Sequence, residues 1–557
     1  MTRPARNRGG LTHRSSVVAG FVLFCGLGGG CRPADASLGG TWDCPDSEAA
    51  SCFFFDSALQ TQSSNDAVRS LFDAPVDADP AKSPSIAYPL DETTEPSNIY
   101  DLDIQWRRQR SAQKLFRIRV ESTALPYGRY DLYTQCFPKN DGCHYSVPEQ
   151  EWSANVTDRL KGSDALLTVA ASDGDGGPIA VSPPVHVRFT YAPVPGGLYY
   201  WSAHPPNSPP GTPDQGTTFR LAFGARLATP FIRPNQENPK ACEGCHSVSG
   251  DGTTIAFTAT DTLLAGAQSG SFIAELTTAP TLQPAPFPAG DHDSAMIALN
   301  YTGTLAVVGV NDALGLRDVN TGVTTPISPS LLGDEGHGYF PDFSPDQKHI
   351  VVTLSDQPDS PWAVHTGSIA TLDFDATTRT FSPAQVLVPM TDTEFHYYPS
   401  WSPDNQWIVF ASAPRAPGNI SYDQPDSRLR LAHFPDGRVY DLGRATQGVG
   451  LSSTLPKFAP LPTDGHNQLF ITFNSKMDYG VEVSNSPAQL WLSVLDFDRL
   501  PDDPSSAPVW LPFQTFGQKN HLAYWTDKVR CRKDHSEPAC GSDEVCSDDG
   551  VCFVPPR

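Results

Sequence analysis

Alternation of apolar and polar positions runs through most of the chain. Phe116-Arg117-Ile118-Arg119-Val120 places Phe, Ile and Val on one face and both Arg on the other, and Val185-His186-Val187-Arg188-Phe189 repeats the pattern. With Asp103-Ile104-Gln105-Trp106, Tyr130-Asp131-Leu132-Tyr133 and Ala165-Leu166-Leu167-Thr168-Val169, about seven strands fit into residues 94–192. That density predicts two packed sheets. From Gly196 to about Thr526 a second pattern takes over, in which a short turn precedes an apolar strand. Ser249-Gly250-Asp251-Gly252 leads into Ile255-Ala256-Phe257, and Asn300-Tyr301-Thr302-Gly303 into Leu305-Ala306-Val307-Val308. Phe340-Pro341-Asp342-Phe343-Ser344-Pro345-Asp346 then precedes Ile350-Val351-Val352, and Tyr398-Pro399-Ser400-Trp401-Ser402-Pro403-Asp404 precedes Trp407-Ile408-Val409-Phe410. A looser copy, Leu455-Pro456-Lys457-Phe458-Ala459-Pro460, comes before Leu469-Phe470-Ile471-Thr472-Phe473. Spacings of about 44 to 60 residues suit four-stranded blades arranged in a ring.

The fold class expected is therefore all-β. Residues 94–192 have the size of an immunoglobulin- or fibronectin-like sandwich. The Tyr/Phe-Pro-x-Phe/Trp-Ser-Pro-Asp signature resembles the TolB-type, WD40-like propeller repeat over residues 193–527, which implies a six-bladed β-propeller and a protein-binding platform. Tyr199-Tyr200-Trp201 is expected to complete the last blade and close the ring. Residues 31–93, rich in Ser, Asp, Ala and Pro, read as a tether. Residues 528–557 read as a Cys-rich tail.

Acidic residues outnumber basic ones 62 to 39, a formal charge of −23. Nucleic acid is a poor partner for such a chain, since binding phosphates needs clustered Lys and Arg. At the N-terminus, Arg3, Arg6, Arg8 and Arg14 precede the apolar run 17–27, the pattern of an export signal over residues 1–30. Leu27-Gly28-Gly29-Gly30-Cys31 resembles a lipoprotein cleavage site that would make Cys31 the lipidated residue, and Ala34-Asp35-Ala36 offers an ordinary signal-peptidase site instead. The implied location is the envelope of a Gram-negative-type bacterium, periplasm or outer membrane, or the secreted fraction, with the membrane reached only through a lipid. Of 12 Cys, the pairs Cys44–Cys52 and Cys136–Cys143 and two pairs among Cys531, Cys540, Cys546 and Cys552 suit disulfides made in an oxidising compartment. Asp173-Gly174-Asp175-Gly176-Gly177 reads as a hairpin turn, because a calcium loop begun at Asp173 would need an acidic residue where Pro184 stands.

The chemistry concentrates in Cys242-Glu243-Gly244-Cys245-His246, a C-x-x-C-H that runs directly into the first repeat. The spacing lets two thiols bond the vinyl groups of one haem c while His246 reaches the iron as proximal ligand. Candidates for the opposite iron ligand are His337 and His396, which hold equivalent places in neighbouring repeats and are expected near the central channel, with His292 and Met296 behind them. The bland alternative is a structural Cys242–Cys245 disulfide beside a bystander histidine. No G-x-S-x-G and no second C-x-x-C-H is present, so no residue singles out catalysis. Two readings follow: an envelope electron carrier or haem-bearing accessory with a redox partner, or a haem-free propeller that binds an envelope protein.

Overall fold

The structure is a computed structural model that describes residues 40–43, 52–56, 65–99, 103–124, 128–147, 156–203, 216–232, 242–260, 270–276, 285–286, 296–310, 313–333, 336–360, 362–448, 450–460, 466–484, 486–532, 540–542 and 544–555. Cys25, Cys31, Cys44, His292 and the expected export signal lie outside the described residues.

Two units follow one another. The first is a sandwich of a large sheet and a four-stranded sheet. The large one runs Gly40–Asp43, Cys52–Asp56, Arg129–Gln135, Leu115–Glu121, Asp164–Ser172, Val185–Phe189, Thr93–Glu95, and the small one Ser85–Tyr88, Asp103–Arg107, Gly142–Ser146, Phe137–Lys139. Leu115–Glu121 buries every second residue, so Phe116, Ile118 and Val120 join Trp106, Leu132, Leu167 and Val187 in the core. Part of the stretch expected to be a tether is built into this unit. Cys52–Asp56 pairs in parallel with Arg129–Gln135, and a short helix, Asn65–Leu71, lays Val68 against a cluster with Phe72 and Tyr133. The apolar run Phe53-Phe54-Phe55 was the available signal, but a parallel partner lying some 75 residues downstream leaves no local pattern. Cys136 and Cys143 are bonded across the hairpin of the small sheet.

The second unit is a six-bladed propeller. Five blades are consecutive in sequence, with innermost strands Cys242–Val248, Ala298–Leu299, His337–Phe343, Glu394–Trp401 and Thr454–Phe458. The sixth takes its innermost strand, Asn520–Thr526, from the far end of the chain and its other three, Gly197–Ser202, Thr217–Ala222 and Thr229–Ile232, from the beginning of the unit. Tyr199 pairs with Tyr524 across that seam, as the sequence led one to expect.

The repeat signature is explained by its turns. Ser344 Oγ donates to Asp346 Oδ1 at 2.6 Å and accepts His349 N–H at 3.0 Å, so one Ser–Asp pair satisfies the backbone of the turn that starts the second strand. Ser402 with Asp404 and Ser249 with Asp251 make the same contacts. In the second blade Asn300 does the work alone, its Oδ1 accepting from Thr304 and Leu305 N–H at 2.9 Å each.

The sandwich rests on the fifth blade and the segment that leads into it. Arg188 bridges Asp164 and Asp496, Arg444 pairs with Glu92, and Trp510 N–H donates to Tyr88 OH. Gly480, at φ 54°, lies so close to Gln105 that a Cβ would collide with it and crowd Tyr88. The tail covers the outside of the closing blade through the disulfides Cys531–Cys546 and Cys540–Cys552, and Glu544 accepts Ala222 N–H at 2.7 Å. Among the described residues no helix is long and apolar enough to cross a membrane.

Glu95 is a buried carboxyl at this junction, 4% exposed, with Oε1 lacking a hydrogen-bond partner. Burial pushes its pKa from 4.5 to about 8. The folded state then holds a proton that the unfolded chain releases near pH 4.5, so its contribution is full below that pH and is lost as pH rises toward 8. Glu95→Gln is expected to flatten this dependence and to stabilise the protein at pH 9 by an amount on the order of 3 kcal/mol, measured as urea midpoints of both forms at pH 5 and pH 9.

Candidate functional site

Five of the six innermost strands share one irregularity. Their pairing with the second strand of the blade skips at Gly244/Ser247, Tyr339/Asp342, Tyr397/Ser400, Thr454/Lys457 and, in the closing blade, His521/Tyr524, each a β-bulge. One residue at each bulge has positive φ: Cys245 (42°), Phe340 (51°), Tyr398 (52°), Leu455 (51°) and Leu522 (52°). The C-x-x-C-H therefore occupies the bulge of the first blade, with Cys245 where other blades put a large apolar residue and His246 where three of them put Pro341, Pro399 and Pro456.

The residue after that position turns toward the axis. Ser247, Asp342, Ser400, Lys457 and Tyr524 all line one cavity of about 110 Å³ in the middle of the ring. Lys457 Nζ lies 3.1 Å from Asp342 Oδ1 and 4.7 Å from the centre of the Tyr524 ring, while Asp342 Oδ2 accepts Trp401 N–H at 2.9 Å. Burial alone would lower the Lys457 pKa, but the Asp342 carboxylate and Tyr524 more than offset it and hold the ammonium above its ordinary value. The ring thus has a charged, hydrogen-bonded centre that the sequence reading did not single out. Its signal was available in the variable column of the repeat, where Ser, Asp, Ser, Lys and Tyr succeed one another.

Toward the start of the inner strands the channel opens into an aromatic mouth. The Trp201 ring stands within 4 Å of where a Cβ on Gly244 would lie, and it stacks obliquely on His521 at 5.7 Å. Tyr422 lies 6.3 Å from His521 and 5.5 Å from Trp362. Trp362 and Tyr422 are 45% and 41% exposed, and Tyr398 OH donates to Trp362 O. Cys245 is partly exposed and stands outside the three disulfides described; burial raises the pKa values of Tyr398 and Tyr524, and the nearby Cys245 sulfur gives a smaller electrostatic push in the same direction. Cys242 opens the same strand, and its side chain lies outside what the structure describes.

The two halves of the motif part company. His246 is 1% exposed, edge-on to Tyr524 at 5.5 Å, with Nε2 2.9 Å from Tyr199 O. Burial lowers its pKa to about 4, so the ring is neutral at pH 7, and Nε2–H donates to that carbonyl. The nitrogen that would reach an iron is taken up in the wall of the propeller. His396, expected at the channel, faces the interior of its blade instead. It is 2% exposed, its Nδ1 is 2.8 Å from Ser412 Oγ, and it sits edge-on to Phe410. Strand alternation explains the difference, since Phe395 and Tyr397 on either side hold the opposite face. His337 is half-buried at the start of its strand, opposite Ser355. Met296 is a partly buried side chain packed on the central core.

No family model matches the chain, and no curated protein matches it. Among solved structures it is similar to TolB from Acinetobacter baumannii, at 12% identity and a TM-score of 0.38 over 66% of this chain and 80% of that one. It is also similar to an oligogalacturonate lyase from Vibrio parahaemolyticus, at 12% identity and 0.30 over 51% and 69%, and to an oligogalacturonate lyase in complex with manganese, at 13% and 0.30 over 75% and 82%. The class defined by the strand pairing itself is a six-bladed β-propeller preceded by a β-sandwich.

Removing Asp342 strands a buried ammonium. Asp342→Leu is expected to cost about 3–5 kcal/mol, and Asp342→Leu with Lys457→Met to recover most of it, read as urea unfolding midpoints of the three forms.

Proposed function

We propose that this chain is an exported, lipid-anchored β-propeller that carries one c-type haem on Cys242 and Cys245 and serves electron transfer, or a haem-bearing accessory role, in the cell envelope. The observation that supports it is the position of the motif. It forms the innermost strand of a blade, at a bulge that sets Cys245 near Tyr398 and Tyr524 and its neighbour Gly244 beside Trp201.

The residues at the mouth fit part of such a group. Thioether bonds from the two Cys would fix it there, and Trp201, Trp362 and Tyr422 offer flat apolar surface against a porphyrin. The cavity of about 110 Å³ below the bulge is too small for it, since organic ligands of that kind need roughly 300 Å³ or more. A bound haem would supply one-electron exchange. His246 does not fit as it stands: to ligate iron it must give up the Tyr199 carbonyl and leave the wall. His521, whose ring lies 5.7 Å from Trp201 and whose Nδ1 is 2.8 Å from Asn474 Nδ2, is the histidine at the mouth and the alternative ligand. With a charge of −23, a basic redox partner is favoured.

The buried His246 favours a second reading, a haem-free propeller whose channel mouth binds an envelope protein and whose Cys242 and Cys245 form a disulfide. The two separate on colour. Protein exported by a host with haem-attachment machinery is expected to show a Soret band and a haem that stays on the denatured chain, lost in Cys242→Ala or Cys245→Ala. His521→Ala is expected to shift that band and His246→Ala to leave it in place. A colourless chain sinks the haem reading and leaves the protein-binding one.

A further inference from the structure

One buried cluster of ligating side chains lies away from the channel, where the sandwich meets the fifth blade. Asp103 and His144 come from adjacent strands of the small sheet, in which Asp103 pairs with Ser146 and Gln105 with His144. Glu482 comes from the propeller, on the loop between Gln468–Ser475 and Gln489–Asp496. We propose that Asp103, His144 and Glu482 form a site for a divalent transition-metal ion of the zinc type, which fastens the sandwich to the propeller.

The geometry is that of donors facing a common centre. His144 Nδ1 is 3.2 Å from Glu482 Oε1 and 3.6 Å from Asp103 Oδ1, and the three donor atoms lie within 4.8 Å of one another. Ligands about 2.0–2.2 Å from a tetrahedral ion are separated by roughly 3.3–3.6 Å, so two edges already fit and a small carboxylate rotation closes the third. Glu482 is only 8% exposed, yet its Oε1 has no hydrogen-bond partner, although it stands 3.2 Å from a ring nitrogen. That separation is also the edge expected of two ligands on one small tetrahedral cation.

The second oxygens are held by neighbours. Glu482 Oε2 is 2.7 Å from Lys139 Nζ, and Asp103 Oδ2 accepts from Gln105 Nε2 at 2.9 Å and Tyr479 OH at 3.3 Å. The loop is fixed as firmly. Gln105 Oε1 accepts from Val481 N–H at 2.6 Å and Glu482 N–H at 3.2 Å, and Asn140 Nδ2 donates to the carbonyls of both residues at 2.7 and 3.0 Å. With a neutral imidazole the two carboxylates exceed Lys139 by one negative charge, which a divalent ion offsets. One nitrogen and two carboxylate oxygens suit Zn²⁺ better than Mg²⁺ or Ca²⁺, which favour more oxygen ligands.

The test uses the full chain, stripped with a chelator and titrated with ZnCl₂ by calorimetry, with bound zinc counted by mass spectrometry. A Cys242→Ser/Cys245→Ser form is run in parallel so that thiolate binding is counted separately. The expected result is one Zn²⁺ per chain in both forms, with affinity at least tenfold weaker in Glu482→Gln and in His144→Asn. Added Zn²⁺ should raise the melting temperature of the parent and not of those two variants. Absence of stoichiometric zinc, or equal affinity in the parent and both variants, overturns the proposal. So does a melting temperature that falls in the variants yet never responds to zinc, which is the behaviour of an ion-pair cluster alone. Far-ultraviolet circular dichroism of the zinc-free variants separates loss of the site from loss of the fold, and Glu482→Gln, nearly isosteric, decides the outcome if His144→Asn unfolds.

Discussion

The propeller depends on a single backbone constraint, the residue of positive φ in its innermost strands. An L-residue in that region is strained, and here the same strain recurs at Cys245, Phe340, Tyr398, Leu455 and Leu522. It is held by what surrounds it: regular pairing before and after the bulge, and burial of Phe340, Tyr398, Leu455 and Leu522 in the common core. The benefit is directional. Skipping one pairing partner re-aims the next side chains, so Ser247, Asp342, Ser400, Lys457 and Tyr524 converge on the axis rather than alternating into the spaces between blades. Chemistry at the centre of the ring, and the placement of the C-x-x-C-H, both descend from that kink.

Much of the architecture was legible because it is local. Ser–Asp turns are written within five residues of sequence, and the hydrogen bonds of Ser344, Ser402 and Ser249 show why those residue types recur where they do. Alternation in Leu115–Glu121 translated directly into a buried and a half-buried face, and Cys136 and Cys143 were close enough to pair across one hairpin. What escaped was long-range or depended on orientation. The parallel pairing of Cys52–Asp56 leaves no nearby echo. His396 carried the right position in the repeat, but strand alternation turned it inward to Ser412. His246 met the spacing expected of a haem motif, while the repeat's own geometry drew it into the Pro position and onto Tyr199. Glu482 lies more than 300 residues from Asp103 and His144, in a loop with no repeat signature, and only the docking of the two units brings them together.

That docking surface differs in kind from the blade interfaces. Blades meet largely through apolar side chains, with Asp342 and His246 as polar exceptions, whereas the sandwich meets the fifth blade and the segment leading into it mainly through directed groups: the Gln105 amide, Tyr88 OH, Arg188 and Arg444. Directed contacts set one orientation and leave few alternatives. The mouth of the channel therefore has a fixed relation to the unit that precedes it.

The closing blade has one more consequence, which concerns time. Its innermost strand, Asn520–Thr526, and the three strands it completes stand about 300 residues apart, so the ring has no seam until nearly the whole chain is present. Contacts of such sequence separation form late and slowly, because the chain between them must be ordered first. A polypeptide emerging N-terminus first would hold Gly197–Ser202 with an open edge until its last strand arrived. For a chain exported as we propose, the closing blade would be the last part of the ring to lock.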